Sequence, residues 1–240
     1  MPATLGVPPE NRILAALPRA EYQALAPHLE RVHLPQGKVL YEVGDRVTRA
    51  YFVTRGMVSL LSITEDGGTT EVAMVGKEGV VGLPIILRVG AAPYRSMVQI
   101  TGDALSMKAD VMREGFSRGA RFQDLLLRYT HALLTQVSQS AVCNRFHTTE
   151  ARLSRWLLVT RNRVESDSFR LTQELISHML GTPRTVVTVA ANKLQDAGLI
   201  RYKRGHITIL DPRMLEAAAC ECYAVVIKEV SHFFVAERGR

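Results

Sequence analysis

Cysteine, tryptophan and long apolar runs are scarce in this chain of 240 residues. Cys143, Cys220 and Cys222 are too few, and odd in number, for a disulfide framework, so a reducing cytoplasm is expected. No apolar run approaches the roughly 20 residues of a membrane-spanning helix. The opening residues, MPATLGVPPENR, also lack the basic-then-apolar pattern of a secretory signal. We therefore expect a cytoplasmic protein with no membrane partner.

Catalytic and metal-binding patterns are absent as well. There is no Walker loop, nucleophile elbow or paired carboxylate pattern, so we predict no catalytic residues and no enzyme. Cys220 and Cys222 lie two residues apart in one predicted helix (Met214 to Phe234) and would not share a face. Three histidines of helical stretches lack ligand partners at metal spacing: His131, His147 and His178. The sequence predicts no metal site and no certain cofactor.

The net charge of +7 is unevenly distributed. Residues 151–210 hold 10 Lys and Arg against 4 Asp and Glu, whereas residues 1–150 hold 16 against 14 and residues 211–240 hold 4 against 5. A concentrated basic stretch favours binding to phosphate backbones through counterion release. The alternative is a solvated basic face without a partner.

The chain divides into segments of different periodicity. Residues 11–30 space apolar side chains at helical intervals, and Pro18 breaks them into two short helices. Residues 32–109 alternate glycine-containing turns with β-rich pieces, namely VHL, KVLYEV, AYFVTRGMVSLLSI, TTEVAMV and MVQIT. Strands with turns at such short spacing predict an all-β barrel or double-sheet roll.

A long run without Gly or Pro, from Ala120 to His147, predicts one helix with two apolar seams. The first seam contains Phe122, Leu126, Tyr129, Leu133, Gln136, Ser140 and Cys143, and the second contains Leu127, Thr130, Leu134, Val137 and Ala141. A helix that is apolar on two faces is buried on two sides. One side can lie on the β domain and the other on the same helix of a second chain, which predicts a homodimer. A single helix inside a larger monomeric core is the alternative, and the assignment of the seams stays open.

Residues 171–210 predict a helix-turn-helix. Thr172 is a suitable N-cap for a first helix that ends at Gly181. Thr182 is predicted to cap a second helix, with Pro183 at its first position and Gly198 as its stop. The predicted inner faces are Leu175, Ile176, Met179 and Leu180 on the first helix and Val186, Val187, Ala190, Leu194 and Ala197 on the second.

A β-hairpin is predicted directly after these helices. Residues 199–202 and 207–210 flank a basic tip, Lys203 to His206. Near the start of the second helix, Arg184 can donate two hydrogen bonds to a guanine edge in the major groove. The predicted DNA-contacting residues are Thr172, Thr182, Arg184, Thr185, Thr188, Lys193, Lys203 and Arg204. A helical hairpin with an exposed arginine is the alternative.

These residues carry a resemblance to the cyclic-AMP receptor and fumarate–nitrate regulator (Crp/Fnr) family of bacterial transcription regulators. Thr172, Gly181 and Arg184, with Val186 or Val187 in the core, match the family's helix-turn-helix pattern. The skeleton of its cyclic-nucleotide-binding barrel is matched by Gly37, Gly44-Asp45, Tyr51, Gly56 and Val58. Family members often carry Glu where Thr185 stands and a second Arg where Val189 stands, so the family's best-known recognition sequence is not expected.

The resemblance covers residues 13–210 and implies an α+β architecture. Its parts are a cyclic-nucleotide-binding-like β-roll sensor domain (1–119), a long dimerisation helix (120–147) and a winged helix-turn-helix domain with a C-terminal helical extension (148–240). It implies a dimeric, sequence-specific regulator that binds an inverted repeat in double-stranded DNA and works with RNA polymerase. The alternative is a small-molecule-binding regulatory module that acts through a protein partner.

The resemblance also implies an effector pocket, in which a Gly-Glu pair holds a ribose and an Arg-Ser pair holds a cyclic phosphate. Arg95 and Ser96 match the second pair, whereas Gly82 and Leu83 align with the first. Leucine cannot accept a hydrogen bond from a ribose hydroxyl, and Glu78 lies in the preceding turn. Cyclic AMP is therefore not the expected ligand, and a small anionic or nucleotide effector, or a barrel without effector, remains open. Iron–sulfur members use cysteines near the N-terminus, which are absent here.

Overall fold

The computed structural model describes residues 10–234, so the predictions that concern residues 1–9 and 235–240 lie outside the described residues. The chain forms two compact units. Unit 1 comprises the described residues up to Leu60, then Met74–Leu134, and those from Glu229 onward, while unit 2 comprises Leu61–Ala73 and Thr135–Lys228. Among the described residues, no helix is both long enough and apolar enough to cross a membrane.

Unit 1 begins with two short helices, α1 (Arg12–Ala15) and α2 (Arg19–Leu25), which Pro18 separates as predicted. Three-residue 3-10 turns follow at Ala26–His28 and Leu83–Ile85. The strands of the β domain are β1 (Glu30–Leu34), β2 (Val39–Tyr41), β3 (Arg49–Ile63), β4 (Thr69–Val75), β5 (Val80–Val81) and β6 (Arg95–Lys108). Helix α3 (Ala109–Ser117) follows β6.

The six strands form one sheet in the order β1-β6-β3-β4, with β2 paired to β6 and β5 to β3. The pairs β1–β6, β2–β6 and β3–β5 are antiparallel. Strands β3 and β6 approach closely at Gly56 and Gly102. A Cβ at Gly102 would lie within 3 Å of the Arg55 backbone, and a Cβ at Gly56 would lie within 3 Å of the Ile100 backbone. Only glycine fits this crossing, which explains a glycine in the middle of a long strand.

Helix α4 (Ala120–Phe146) is continuous, and its two predicted seams differ in burial. Every member of the Phe122-to-Cys143 seam is buried within the chain. In the second seam Leu127 is 51% exposed, Leu134 is 61% exposed and Ala141 is also exposed. The first seam therefore contacts the chain's own core, and the second is left as an apolar stripe with a seven-residue spacing.

Unit 2 contains α5 (Thr149–Val164) and the helix-turn-helix pair α6 (Gln173–Leu180) and α7 (Arg184–Asp196). A three-stranded sheet in the order β7-β9-β8 accompanies them, with β7 (Ser168–Arg170), β8 (Ile200–Lys203) and β9 (His206–Ile209). The hairpin β8–β9 confirms the predicted wing. The predicted helix Met214–Phe234 is wrong, because it is divided into α8 (Pro212–Ala218) and α9 (Cys222–His232).

The break between α8 and α9 has a local cause. Ala219 adopts an extended conformation, with ψ at 158°, and ends α8. The amide of Tyr223 then bonds the carbonyl of Cys220 at 3.0 Å as the next helix starts. This turn carries Cys220, Glu221 and Cys222, which an unbroken helix would have pointed in different directions.

The hairpin of residues 61–73, contributed by β3 and β4, belongs to unit 2. The indole of Trp156 on α5 donates a buried hydrogen bond of 2.7 Å to the Glu71 carboxylate. Both side chains are almost fully buried. A buried carboxylate needs such a donor, so this bond fixes α5 against the hairpin.

Candidate nucleic-acid interface, effector site and cysteine cluster

The helix-turn-helix begins as the sequence predicts. The Thr172 hydroxyl accepts the Leu175 amide at 3.1 Å, and this N-cap orients α6. Gly181 ends α6 with φ at 57°, in the left-handed region that favours glycine. A Cβ there would also lie 2.8 Å from the Thr70 hydroxyl, so the turn has no room for a larger residue.

The start of α7 differs from the prediction that Thr182 caps it. Pro183 is the N-cap, with an extended ψ of 141°, and its carbonyl accepts the amides of Val186 and Val187. The Thr182 hydroxyl instead donates to the Leu180 carbonyl at 3.2 Å and accepts from Arg152 at 3.3 Å. Because proline fixes only φ, its ψ is free to take the extended N-cap value, which displaces the cap by one residue.

The buried face of α7 is also shifted from the prediction. Val186 is 41% exposed and Ala197 is exposed, so placing both on the inner face was wrong. The buried residues are Val187, Ala190, Ala191 and Leu194. These positions follow the i, i+3, i+4, i+7 pattern of one helix face, whereas Val186 lies one residue outside it.

A cleft of about 400 Å³ opens between the starts of α6 and α7 and the wing. Its lining residues are Thr172, Gln173, Arg184, Tyr202, Arg204 and Gly205. The side-chain amide oxygen of Gln173, Oε1, accepts a hydrogen bond from Arg184 Nε at 3.5 Å and another from the Thr188 hydroxyl at 3.1 Å. The structure therefore brings four of the predicted contact residues, Thr172, Arg184, Thr188 and Arg204, to one surface.

Sequence reasoning did not assign three residues of this cleft to the interface, namely Gln173, Tyr202 and Gly205. Gln173 follows the N-cap Thr172 directly and is the first residue of α6, so its position predicts a side chain at the N-terminal end of the helix, beside the other predicted contact residues. The Tyr202 hydroxyl donates to the Leu171 carbonyl at 3.1 Å, and burial raises the pKa of this phenol. Tyr202 thus stays a neutral donor and holds the wing against the start of α6.

The other predicted contact residues occupy different positions. Thr185 is exposed on α7, and Lys203 is exposed at the wing, next to Arg204 and Gly205, which both have positive φ. Lys193 is paired with Glu150 in the last turn of α7, about 14 Å along the axis from Arg184 at the usual helical rise. The hydrogen bond from Lys193 lowers the pKa of Glu150. Lys193 therefore lies away from the cleft.

In the β domain, the residues aligned with a ribose site are structural. Gly82 has φ at 121°, and a Cβ there would lie 3.1 Å from the Ala50 backbone. Leu83 is 3% exposed and begins the 3-10 turn. Glu78 is buried and accepts the Gly76 amide at 3.2 Å, so it lies in the preceding turn as predicted. A buried aliphatic side chain therefore occupies the position that the family resemblance aligns with a ribose acceptor.

The residues aligned with a phosphate site lie at the start of β6. Ser96 is buried opposite Tyr41 of β2, and Arg95 precedes it. Arg95 Nε donates to the Glu42 carboxylate at 2.7 Å, and both side chains are partly exposed. A partly exposed ion pair contributes only about 0–1 kcal/mol, so an incoming anion could displace Glu42 at small cost.

Four side chains that the sequence analysis did not group into one site lie close together in unit 2. Cys143, His147, Cys220 and Cys222 place their sulfur and nitrogen atoms all within 4.8 Å of one another. The sulfurs of Cys143 and Cys220 are 3.4 Å apart, and the sulfur of Cys222 is 3.5 Å from His147 Nδ1. All three cysteines are buried free thiols. The statement that His147 lacks a partner at metal spacing was wrong, because Cys143 lies one helical turn before it.

Charge in and around this cluster favours a thiolate. The hydrogen bond from Cys220 lowers the pKa of Cys143 to about 5, with nearby Arg155 acting in the same direction. The same hydrogen bond and burial raise the pKa of Cys220. Arg152 interacts electrostatically with both of these cysteines. The Nε atoms of Arg152 and Arg155 are buried and have no hydrogen-bond partner among the described residues.

Comparison with known proteins finds a family model for each of two segments of the chain. Residues 31–118 match the model of the cyclic nucleotide-binding domain, and residues 151–218 match that of the Crp-like helix-turn-helix domain. The CRP-like cAMP-activated global transcriptional regulator of Mycobacterium tuberculosis is 24% identical over 203 residues, which cover 82% of this chain and 91% of that protein.

Solved structures share the fold. A Crp/Fnr-family transcriptional regulator from Eubacterium rectale superposes with a TM-score of 0.69 at 18% identity, covering 87% of this chain and 98% of that one. FixK2 from Bradyrhizobium japonicum gives 0.68 at 16% identity, covering 80% and 98%. The two matched domains, in this order and with these neighbours, show that the chain belongs to the Crp/Fnr family of transcription regulators, with a cyclic-nucleotide-binding domain and a helix-turn-helix DNA-binding domain.

Proposed function

We propose that the chain binds an inverted-repeat DNA site as a homodimer, with α7 in the major groove and the wing on the phosphate backbone. The observation that carries this proposal is the cleft, where Arg184 and Gln173 are joined by a hydrogen bond at the exposed N-terminal end of α7. Arginine reads guanine, and an amide side chain can read adenine, by paired hydrogen bonds. The basic wing tip of Lys203 and Arg204 fits backbone contacts that carry no sequence information.

Arg184→Ala tests the assignment of base contacts. It is expected to cost about 1–3 kcal/mol on the cognate site and to relax selectivity at one base pair. Lys203→Ala is the matched control, because it removes a cation from the wing and should weaken all sequences alike with a shallower salt dependence. Fluorescence anisotropy on a site taken from a genomic binding map, and on random DNA, measures both effects. Equal losses on the two DNAs for Arg184→Ala would reject the assignment.

The homodimer is supported by the exposed stripe of α4, formed by Leu127, Leu134 and Ala141. These residues recur every seven positions, which is the spacing of a two-helix seam. A two-fold dimer presents two copies of α7 to half-sites one helical turn apart. RNA polymerase is the expected partner at promoters, in the cytoplasm, and no catalytic step is part of this function.

The effector of the β domain is expected to be a small anion that lacks the ribose contact of cyclic AMP. Arg95 and Ser96 supply the anion-binding half, whereas buried Leu83 supplies no acceptor. Each ribose hydroxyl left without a partner costs about 1–3 kcal/mol. A second candidate is a β domain without effector, and the pair between Arg95 and Glu42 favours it because the guanidinium already has a carboxylate partner.

Calorimetry with cyclic AMP and with anionic nucleotides distinguishes these possibilities. Cyclic AMP is expected to show no binding at micromolar concentration and no effect on DNA affinity. Arg95→Ala should abolish binding of an anionic effector, whereas Glu42→Gln should strengthen it by removing the competing carboxylate. Micromolar binding of cyclic AMP that Arg95→Ala abolishes would contradict the proposed role of Leu83.

A further inference from the structure

We propose that Cys143, His147, Cys220 and Cys222 form a zinc site that fastens the end of α4 to the turn between α8 and α9. This site lies outside the DNA interface and the effector pocket. It does not rest on the proposed function, and it revises the sequence-based prediction that the chain has no metal site.

The geometry fits one ion with four protein ligands. Zn²⁺ in a tetrahedral site lies about 2.3 Å from sulfur and about 2.0 Å from nitrogen, so ligand atoms are about 3.8 Å apart between sulfurs and about 3.5 Å between sulfur and nitrogen. The cluster has 3.4 Å between Cys143 and Cys220 and 3.5 Å between Cys222 and His147. No pair of ligand atoms is more than 4.8 Å apart. One ion at the centre can reach all four with small adjustments of side chains.

The backbone positions the four ligands in two pairs. Cys143 and His147 are four residues apart, and the His147 amide still bonds the Cys143 carbonyl at 3.2 Å, so their side chains share one face of the last helical turn. Cys220 and Cys222 come from the break between α8 and α9. An ion held by both pairs closes a loop of more than seventy residues, which is a large constraint on the unfolded chain.

A second shell surrounds the proposed ligands. His147 Nδ1 faces Cys222, while its Nε2 lies 3.2 Å from the Glu221 carboxylate. This carboxylate–histidine arrangement fixes the ring and leaves Nδ1 as the metal-binding nitrogen. The Gln139 amide donates to Cys222 Sγ at 3.0 Å. Three thiolates and a neutral histidine around Zn²⁺ carry one net negative charge, and Arg152 and Arg155, whose buried Nε atoms have no partner among the described residues, stand beside it.

The ligand set also selects the kind of metal. Three thiolates and one imidazole are soft and borderline ligands, which suit Zn²⁺ and disfavour Mg²⁺ or Ca²⁺. All four positions are filled by protein, as in structural zinc sites, so no position is open for a substrate. A cluster of two or four irons would distribute these four ligands over two or more irons, and ligands on different irons lie further apart than the 4.8 Å that bounds the ligand atoms here.

Metal content of the full chain, purified without an affinity tag and under reducing conditions, is the first test. Mass spectrometry of the metal is expected to find one zinc per chain. Titration of the metal-free protein with Co²⁺ should give the visible bands of a tetrahedral site and the thiolate-to-metal charge-transfer band. Binding of two or more irons with inorganic sulfide, or no uptake of Zn²⁺ or Co²⁺ by the reduced protein, would overturn the proposal.

Variants assign the ligands. Cys222→Ser and His147→Asn are expected to abolish the charge-transfer band or reduce its intensity and to lose zinc in competition with a chelating dye. His131→Asn is the matched control, because His131 lies on α4, which ends just before His147, and it likewise pairs with a glutamate, Glu229, at 2.8 Å. Glu221→Gln should weaken zinc binding by about tenfold, since it removes the partner of His147 and leaves the ligands in place.

The variants must remain folded for this comparison, and circular dichroism at matched concentration provides that check. His147 is partly exposed, so His147→Asn should fold even if a buried cysteine variant does not. The alternative chemistry of the cluster is a disulfide between Cys143 and Cys220. If the reduced chain takes up no metal while oxidation joins these two cysteines, the cluster is a thiol pair and the zinc site is wrong.

Discussion

The two seams of α4 differ by one residue along the helix but by an order of magnitude in exposure, and this difference predicts opposite effects for the same substitution. Leu127 and Leu134 are 51% and 61% exposed, whereas Leu126 and Leu133 are 0% and 8% exposed. We compare the double variant Leu127→Ala/Leu134→Ala with the double variant Leu126→Ala/Leu133→Ala. Both remove the same atoms from the same helix.

The magnitudes follow from the area that each leucine has left to bury. Full burial of a leucine contributes about 1.5–3 kcal/mol, so a half-exposed leucine that becomes buried in a dimer contributes about 1 kcal/mol. A two-fold dimer buries four such side chains, so the outer double variant should lose about 4 kcal/mol, or about 10³-fold in the dimer Kd. The inner variant should lose about 2–5 kcal/mol of folding stability at each position.

Light scattering at several concentrations and circular dichroism together measure these outcomes. The wild-type chain is expected at about twice its mass of 26.6 kDa. The outer variant should be a folded monomer at micromolar concentration and should bind DNA weakly, while the inner variant should be unfolded or melt early. If the outer variant stayed dimeric with wild-type affinity, the stripe of Leu127, Leu134 and Ala141 would not be the dimer seam.

Three further predictions concern unit 2. Thr172→Ala removes the N-cap of α6 and should cost about 0.5–2 kcal/mol in urea unfolding followed by the single tryptophan, while Thr172→Ser should retain most of that stability. Trp156→Phe takes a donor from the buried Glu71 carboxylate and should cost about 1–3 kcal/mol by circular dichroism, whereas Glu71→Gln, which keeps an acceptor, should cost less. The pKa of Glu150 is lowered by Lys193, so their pair stabilises the fold above the unfolded-state pKa of about 4.3 and the stabilisation is lost as pH falls below it. Lys193→Met should remove this acid-dependent contribution, which for an exposed pair is below about 1 kcal/mol, and an unchanged acid-unfolding curve would contradict it.

Local chemistry made most of the helix-turn-helix predictable. The Thr172 cap, the left-handed Gly181 and the basic wing each depend on backbone rules that act over a few residues. The predicted N-cap of α7 was wrong by one residue. Both a threonine and a proline can precede a helix, and the sequence does not say which one takes the extended conformation. Val186 was misplaced for a different reason: it is adjacent to Val187, and the sequence does not say which of the two valines the fold buries.

Features that depend on tertiary contacts were not predictable in the same way. The apolar character of α4 indicated two buried sides, but only the fold shows which seam the chain itself covers. The cysteine cluster was missed because Cys220 and Cys222 were assigned to an unbroken helix, and the extended Ala219 that breaks it has no strong sequence signal. The spacing of Cys143 and His147, four residues apart, was visible in the sequence and would have marked one half of the site.

The cysteine cluster and the helix-turn-helix share one buried cation, Arg152. Its guanidinium donates to the Leu180 carbonyl and to the Thr182 hydroxyl, and these residues flank Gly181 in the turn between α6 and α7. The Leu180 carbonyl lies at the C-terminal end of α6, where the helix dipole favours a cation. The same guanidinium interacts electrostatically with Cys143 and Cys220. A buried cation is stabilised by negative charge close to it, and a Cys143 thiolate would supply that charge beside the turn that precedes α7.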